Sequence, residues 1–279
     1  MLHPDVEANV AVLGVGSAFV PDTATSFLVH GSFLKNKRIT GDVLIDCGRG
    51  VFSRLLELNY PIERIVDGGA IFITHLHEDH ISQLATLLLY AKHILGIRKP
   101  ATIVLADCLW KNLVKPLSDY IVITQVVDLG SPVDTYDIAI TSVSGFFGEG
   151  CDNVFSFPAD HKFPASGFAF SCRYDTTLIF SGDTKPNRFV YEMWEEAVTI
   201  NPNGAVVYHD LDFANEDARA LYIPHTTYDE LLVAYPPDMV RDIVAVHYGG
   251  KQYLTFDGNK PQILLADPCR EIPWLRFNS

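Results

Sequence analysis

Residues 72–80 read Phe-Ile-Thr-His-Leu-His-Glu-Asp-His, which places His75, His77, Asp79 and His80 at the end of an apolar run. Residues two apart in a strand share a face, so His75 and His77 point to one side where the strand GAIFIT stops. The residues that follow, ISQLATLLLYAKHIL, carry a helical apolar period. Four potential ligands therefore converge where a strand hands over to a helix, a place where loops commonly carry chemistry. Burying several such polar groups without partners would cost about 1–3 kcal/mol each, so packing gives no reason for the crowding. A bound metal ion does. Mixed imidazole and carboxylate donors suit zinc, manganese or iron, whereas calcium prefers oxygen.

Upstream of this stretch, VAVLGVGSAFV, SFLVHGSF and DVLIDCG read as the strands of a β-meander, and VFSRLLELN reads as a helix. Downstream, TIVLA is expected as a strand and LWKNLVKPLSDY as a helix; ITQVVDL, DIAITSVSG, FAFSCRY and TTLIFSGD are expected as further strands. The helix MWEEAVTI, the strand AVVYHD, the helix TTYDELLVAY and the strand IVAVHYGG complete the pattern. This alternation favours an α/β fold with strands packed between helices. No low-complexity segment or polar linker interrupts the 279 residues. One domain spanning 1–279 and built of two similar halves is expected, with enough chain to bury a large core.

Charge narrows the choice of partner. Thirty-four acidic against 21 basic side chains give a formal charge of −13, which repels a phosphate backbone at long range and disfavours long nucleic acids. A bound divalent cation would still offer positive charge at short range. The five cysteines, Cys47, Cys108, Cys151, Cys172 and Cys269, are odd in number, scattered and without a C-x-x-C pair. Neither a disulfide framework nor a thiolate zinc site follows from them, and a reducing compartment fits best. The opening MLHPDVEANV lacks a basic region followed by an apolar core, and no run reaches the length of a membrane span. A cytoplasmic protein without membrane partners is expected.

The run His75-Leu76-His77-Glu78-Asp79-His80 resembles the signature of the metallo-β-lactamase fold superfamily, and that resemblance implies an αββα sandwich. Other elements of the pattern occur in order. Asp46 in DCG would support the metal ligands from behind, His161 in ADHKFPASGFAF would be the third histidine of one metal site, Asp183 in FSGDT would bridge two metals, and His247 in VAVHY would be the last ligand. The implied sites are His75, His77, His161 and Asp183 for one cation, and Asp79, His80, Asp183 and His247 for the other. Two divalent metal ions are implied, zinc first and manganese as the alternative. Outside the pattern, His161 and His247 carry no signal, and Asp183 reads as a turn residue.

The superfamily spans lactamases, glyoxalase II, lactonases, flavodiiron oxidoreductases, nucleases and phosphodiesterases, so the reaction must be read from further residues. His161 followed by FPASGF, the strand end His209-Asp210, the motif His225-Thr226-Thr227 and the strand IVAVH resemble RNase Z. In that family a His-Ser-Thr histidine gives a proton to the leaving oxygen, oriented by the acid of a His-Glu pair. Those roles fall on His225 and Asp210, which join Asp79 in the implied catalytic set. A carboxylate beside an imidazole keeps it protonated near neutral pH. Without the resemblance, the two residues read as a helix cap and a strand end.

Two departures redirect the reading. Aspartate stands where RNase Z has glutamate, and the glycine- and lysine-rich arm that grips transfer RNA is absent. His161 and Asp183 are joined only by KFPASGFAFSCRYDTTLIFSG, room for a β-hairpin. The chain is closer in length and motif order to armless enzymes, above all the anti-Pycsar phage enzymes that hydrolyse cyclic mononucleotides. The resemblance implies a phosphodiesterase acting on a small phosphodiester, a cyclic nucleotide, through a metal-activated hydroxide, with a homodimer by analogy. Alternatives are an RNase Z-like RNA endonuclease, a thioester or lactone hydrolase on the same metals, and a binder that sequesters a nucleotide. Phe19, Phe146, Phe147, Tyr222 and Tyr248 are aromatic candidates for stacking on a base, although aromatic side chains more often build the core.

Overall fold

Among the described residues twelve strands form two six-stranded sheets, each hydrogen-bonded in the order of the sequence. The computed structural model describes residues 4–18, 23–129, 138–148, 153–201, 203–211, 225–248 and 263–278. The first sheet runs β1 (Val10–Gly14), β2 (Ser26–Val29), β3 (Val43–Ile45), β4 (Ala70–Ile73), β5 (Ala101–Leu105) and β6 (Ile138–Ser142). The second runs β7 (Val154–Pro158), β8 (Ser166–Cys172), β9 (Thr176–Phe180), β10 (Ala205–Asp210), β11 (Ile243–Val246) and β12 (Leu264–Leu265). In both, the first three strands form an antiparallel meander and the rest continue in parallel from the third. Parallel neighbours need crossover connections, which explains why the helices cluster in the second part of each half.

Those helices are α2 (Val51–Glu57) and α3 (Glu63–Val66) between β3 and β4, α4 (Glu78–Ile81) and α5 (Leu84–His93) between β4 and β5, and α6 (Trp110–Leu129) between β5 and β6. In the second half, α8 (Arg188–Ile200) joins β9 to β10, while α9 (Tyr228–Ala234) and α10 (Pro237–Arg241) lie between β10 and β11. Two short helices remain, α1 (Pro4–Asn9) before β1 and α7 (Val143–Phe147) after β6. The sheets face each other through aromatic rings. Phe27 of β2 lies 4.8 Å from Phe180 of β9 and 4.9 Å from Tyr208 of β10, and Phe72 of β4 meets Phe168 and Phe170 of β8 edge-on at 5.1 Å each. With helices on the outer faces this is the expected αββα sandwich. Strands β4 and β11 are buried along their whole length, so their sequences are continuously apolar rather than alternating. Among the described residues no helix is long and apolar enough to cross a membrane.

Several segments differ from the sequence expectation, among them the end of DIAITSVSG, where Val143–Phe147 form α7 in place of a strand. ITQVVDL is not a strand but the end of α6, where the Thr124 hydroxyl donates to the Tyr120 carbonyl at 2.8 Å, one helical turn back. The β-branched composition favours a strand locally, but the helix whose buried stripe is Leu113, Leu117 and Ile121 runs on through this segment, with Ile123 exposed on its surface. Residues 154–158, assigned no strand from the sequence, form β7 at the sheet edge. Pro158 is tolerated there as the last residue of an edge strand.

A buried carboxylate ties the first half together. Asp42, wholly buried just before β3, accepts hydrogen bonds from the Gly31 N–H (3.0 Å), the Tyr60 hydroxyl (2.7 Å), Arg64 Nε (2.8 Å) and Nη2 (2.9 Å), and Trp274 Nε1 (3.1 Å). The group thus joins the β2 end, α3 and the C-terminal segment. Burial alone would raise its pKa, but Arg64, the Gly31 amide and Tyr60 outweigh burial and hold it below the usual 3.8. The stability it contributes is therefore present above pH 3.8 and lost as pH falls through the lower folded value. Asp42→Asn is expected to cost about 2–4 kcal/mol in denaturant unfolding at pH 7. The gap to wild type should narrow below the carboxylate range; a gap that is constant with pH would show that the charge contributes nothing.

Candidate metal centre

The polar side chains singled out in the sequence lie beyond the C-terminal ends of strands from both sheets. Asp46 follows β3; His75, His77, Asp79 and His80 follow β4; His161 follows β7, Asp183 follows β9, Asp210 ends β10 and His247 follows β11. Two of them sit in the left-handed backbone region, Asp46 at φ 59° and His247 at φ 65°, which is strained for side-chain-bearing residues and recurs at functional sites. Glycine is required at two neighbouring places. A Cβ on Gly48 would lie 1.6 Å from the Asp79 carbonyl oxygen, and one on Gly182, at φ 63°, would lie 2.4 Å from that of Ser166. The first contact lets the β3 loop lie directly on α4. There the Cys47 N–H donates to the His80 carbonyl at 2.8 Å and the Gln83 N–H donates to the Cys47 carbonyl at 3.0 Å.

Asp46 fixes the donors from behind. Its carboxylate accepts from the Thr74 N–H (2.8 Å), the Thr74 hydroxyl (2.7 Å) and His80 Nδ1 (2.8 Å). With Nδ1–H committed to Asp46, His80 presents Nε2 as the donor atom. His161 Nδ1 lies 3.2 Å from the Phe163 N and 3.3 Å from its carbonyl oxygen, so the backbone of its own loop holds this ring by the Nδ1 edge.

The structure brings together the same two sets that the motifs imply. His75, His77, His161 and Asp183 offer one donor atom each within 4.8 Å of one another, and so do Asp79, His80, Asp183 and His247. Asp183 is common to both. Its Oδ2 lies 3.6 Å from His75 Nε2 and 3.4 Å from His247 Nε2, and its Oδ1 lies 3.4 Å from His80 Nε2. Asp79 Oδ2 is 3.3 Å from His247 Nε2 and 3.6 Å from His80 Nε2. These separations are long for hydrogen bonds and suit groups that share a cation. His80 Nε2 and His161 Nε2 are buried without a hydrogen-bond partner, so the donor sets fit divalent cations on an observation independent of the motifs.

The electrostatics agree. Burial would raise the Asp183 pKa, but His247, His80 and His75 hold it well below the ordinary carboxylate value. Burial would lower His80 and His247, yet Asp183 above all lifts both well above the usual imidazole value, whereas burial and then His80 push His75 well below it. Protons on two histidines thus balance the buried carboxylates, and a bound cation would displace them.

A third grouping adjoins the first two: Asp183, Asp210, His225 and His247 also come within 4.8 Å. His225 Nδ1 donates to Asp210 Oδ2 at 2.8 Å, and the same oxygen accepts the Thr184 N–H at 2.9 Å. The other oxygen of Asp210 lies 3.3 Å from His247 Nδ1, and the Asp210 N–H donates to Ser181 Oγ at 3.0 Å. Burial lowers the His225 pKa, but the Asp210 carboxylate more than reverses this, so the imidazole is held above its usual value. The Asp210 side chain is 1% exposed and that of His225 is 18% exposed, which leaves the pair open on the imidazole side.

Among the aromatic candidates, Phe147 and Tyr248 are buried, and Phe147 packs 6.2 Å from Phe72 as part of the core. Phe146 is partly buried against Phe147, and Phe19 and Tyr222 lie outside the described residues. Among the described residues an exposed aromatic side chain outside these candidates also stands beside the donors. Phe163 is 52% exposed and 5.0 Å from His77. Its only sequence signal is its place two residues after His161, because a loop position has no period to mark it.

Facing sheets with histidine and carboxylate donors gathered at their strand ends define a metal-dependent hydrolase of the metallo-β-lactamase fold. The chain belongs to the family described as anti-Pycsar protein Apyc1, whose model matches residues 8–267. Anti-Pycsar protein Apyc1 of Bacillus phage BSP38 is 28% identical over 270 residues, covering 89% of this chain and 91% of its own. Among solved structures, human tRNase Z, short form, aligns with a TM-score of 0.61 at 19% identity over 93% of this chain and 96% of its own. The metallo-β-lactamase fold protein YhfI from Bacillus subtilis aligns with a TM-score of 0.57 at 15% identity over 86% of each chain.

Asp46→Asn keeps every donor and tolerates the left-handed backbone, but loses the charge that orients His80. It is expected to weaken divalent-metal affinity about 10–100-fold in competition with a chelator. Wild-type affinity in this variant would show that Asp46 does not act on the donors.

Proposed function

We propose that the chain is a dinuclear-metal phosphodiesterase that hydrolyses a cyclic nucleotide. The observation that carries this reading is the His225–Asp210 hydrogen bond beside two four-donor groups that share Asp183. Membership of the anti-Pycsar family supports it, since enzymes of that kind act on cyclic mononucleotides. His75, His77, His161 and Asp183 would hold one cation and Asp79, His80, Asp183 and His247 the other, with zinc the first choice for such donors and manganese the second. Paired divalent cations supply a nucleophile at neutral pH and neutralise charge developing on a phosphoryl group.

What the cations do not supply is a proton for the departing ribose oxygen, a poor leaving group as an alkoxide. His225 is suited to that task. Its Nδ1–H is committed to Asp210 at 2.8 Å, so Nε2 is the atom that holds and delivers the proton. Asp210 fixes the tautomer and keeps the imidazole charged. A thioester, whose thiolate is a better leaving group, has less need of such a pair.

The connection between His161 and Asp183 favours a small substrate. Strands β8 and β9 are joined by a single turn at Arg173–Asp175, so no arm for a long RNA stands there. The net charge of −13 works in the same direction.

Purified, metal-loaded protein is expected to turn over cyclic mononucleotides and bis-para-nitrophenyl phosphate, with no activity on a thioester or a transfer-RNA precursor. Turnover of the thioester alone would overturn the reading. His225→Ala is expected to keep its metal and lose about 10²–10⁴-fold in cyclic-nucleotide turnover, whereas His77→Ala loses metal and turnover together. Equal metal loss in the two variants, measured by elemental analysis, would remove His225 from its proposed role.

A further inference from the structure

After β9 the chain turns through Ser181 and Gly182 to Asp183 and Thr184, and Thr184 is wholly buried. Its backbone bonds Asp210 directly and, on the other side, Thr226, the neighbour of His225. The Thr184 N–H donates to Asp210 Oδ2 at 2.9 Å, and the Thr184 carbonyl accepts from Thr226 Oγ1 at 2.6 Å. Its hydroxyl accepts the Asp160 N–H at 2.9 Å and donates to the Lys185 carbonyl at 2.7 Å, which fastens the loop of His161 to the same point. Lys185 Nζ in turn pairs with Glu230 at 2.9 Å, and Glu230 closes a capping box on Thr227 at the start of α9.

The motif His225-Thr226-Thr227 therefore divides its work. His225 bonds the carboxylate, Thr226 bonds the Thr184 carbonyl, and Thr227 caps the helix. A single Nδ1–H bond turns the imidazole toward Asp210 but leaves the backbone distance free. A fixed distance is what a proton donor needs, because displacement by about 1 Å can cost on the order of a hundredfold in rate. The Thr226 hydroxyl lies on a fully buried side chain and is anchored to the residue that also grips Asp210.

We infer that Thr226 is a positioning residue for His225: its hydrogen bond to the Thr184 carbonyl sets the imidazole at the distance from which Nε2 reaches the departing oxygen. This rests on the reading of His225 as the proton donor. Thr226 belongs to neither four-donor group, so its effect should appear in proton delivery rather than in metal content.

The test compares two substrates in wild type, Thr226→Val, Thr226→Ser and His225→Ala, all metal-loaded and with metal content measured. Expulsion of para-nitrophenolate from bis-para-nitrophenyl phosphate needs little protonation, whereas expulsion of the ribose oxygen of a cyclic mononucleotide needs it strongly. Thr226→Val is expected to hold its metal and to lose roughly tenfold or more in kcat on the cyclic nucleotide beyond any loss on the nitrophenyl ester. Thr226→Ser, which restores the hydroxyl, should recover most of that difference. Thr226→Ala repeats the comparison should the valine variant fail to fold. Equal losses on both substrates in the valine or alanine variant, or a serine variant no better than them, would overturn the inference while His225→Ala remains selective for the cyclic nucleotide. An unselective His225→Ala would overturn the proton-donor reading itself, and the role of Thr226 with it.

Discussion

One buried carboxylate, Asp183, must face histidines from both sheets at once. Its oxygens lie 3.4 to 3.6 Å from His75, His80 and His247, and the first two belong to the first sheet's strand ends while the third belongs to the second's. That meeting requires the parallel strands of both halves to finish at one edge and the turn after β9 to be tight. The two meanders deliver the first condition, and Gly182 at φ 63° delivers the second. The aromatic seam of Phe27, Phe72, Phe168, Phe180 and Tyr208 then holds the sheets at the separation the donors need. Close-packed interiors transmit displacement instead of absorbing it, so the seam and the metal centre are parts of one mechanical unit.

Two buried aspartates show how structural and chemical roles differ. Asp42 is surrounded by a guanidinium, a hydroxyl, an indole and an amide, all at normal hydrogen-bond lengths, and its charge is satisfied by protein alone. Asp183 meets imidazoles at longer range, and buried ring nitrogens of His80 and His161 are left without partners. Burial is comparable; saturation is not. The unsaturated cluster is the one that asks for an ion from outside.

Part of this is legible in the residues alone and part only through resemblance. The run at 72–80 stands out by residue type and spacing at the end of an apolar strand, whereas the places of His161, Asp183 and His247 in the two donor sets follow from the likeness to the metallo-β-lactamase pattern. ITQVVDL is the opposite case: its composition favours β structure, the stripe Leu113, Leu117 and Ile121 stops short of it, and the segment nonetheless continues α6. The Asp42 cluster was not visible, since it joins Gly31, Tyr60, Arg64 and Trp274 across more than half of the chain by contacts that leave no periodic trace. The bonds of Thr184 to Asp210 and Thr226 are hidden in the same way, although Asp210 and Thr226 stand in the His209-Asp210 and His225-Thr226-Thr227 motifs and Thr184 follows Asp183. Backbone-mediated support of this kind leaves no mark in residue type or spacing.

The division of donors between the halves has a consequence for any shortened or nicked form of the polypeptide. A fragment ending before β7 would carry His75, His77, Asp79 and His80 but none of His161, Asp183 or His247, and the complementary fragment would carry only the latter three. Neither piece owns either four-donor group complete. Cleavage that allowed the two sheets to separate would therefore dismantle both groups together, so proteolysis would act on this cluster as an all-or-none event and not as a graded loss.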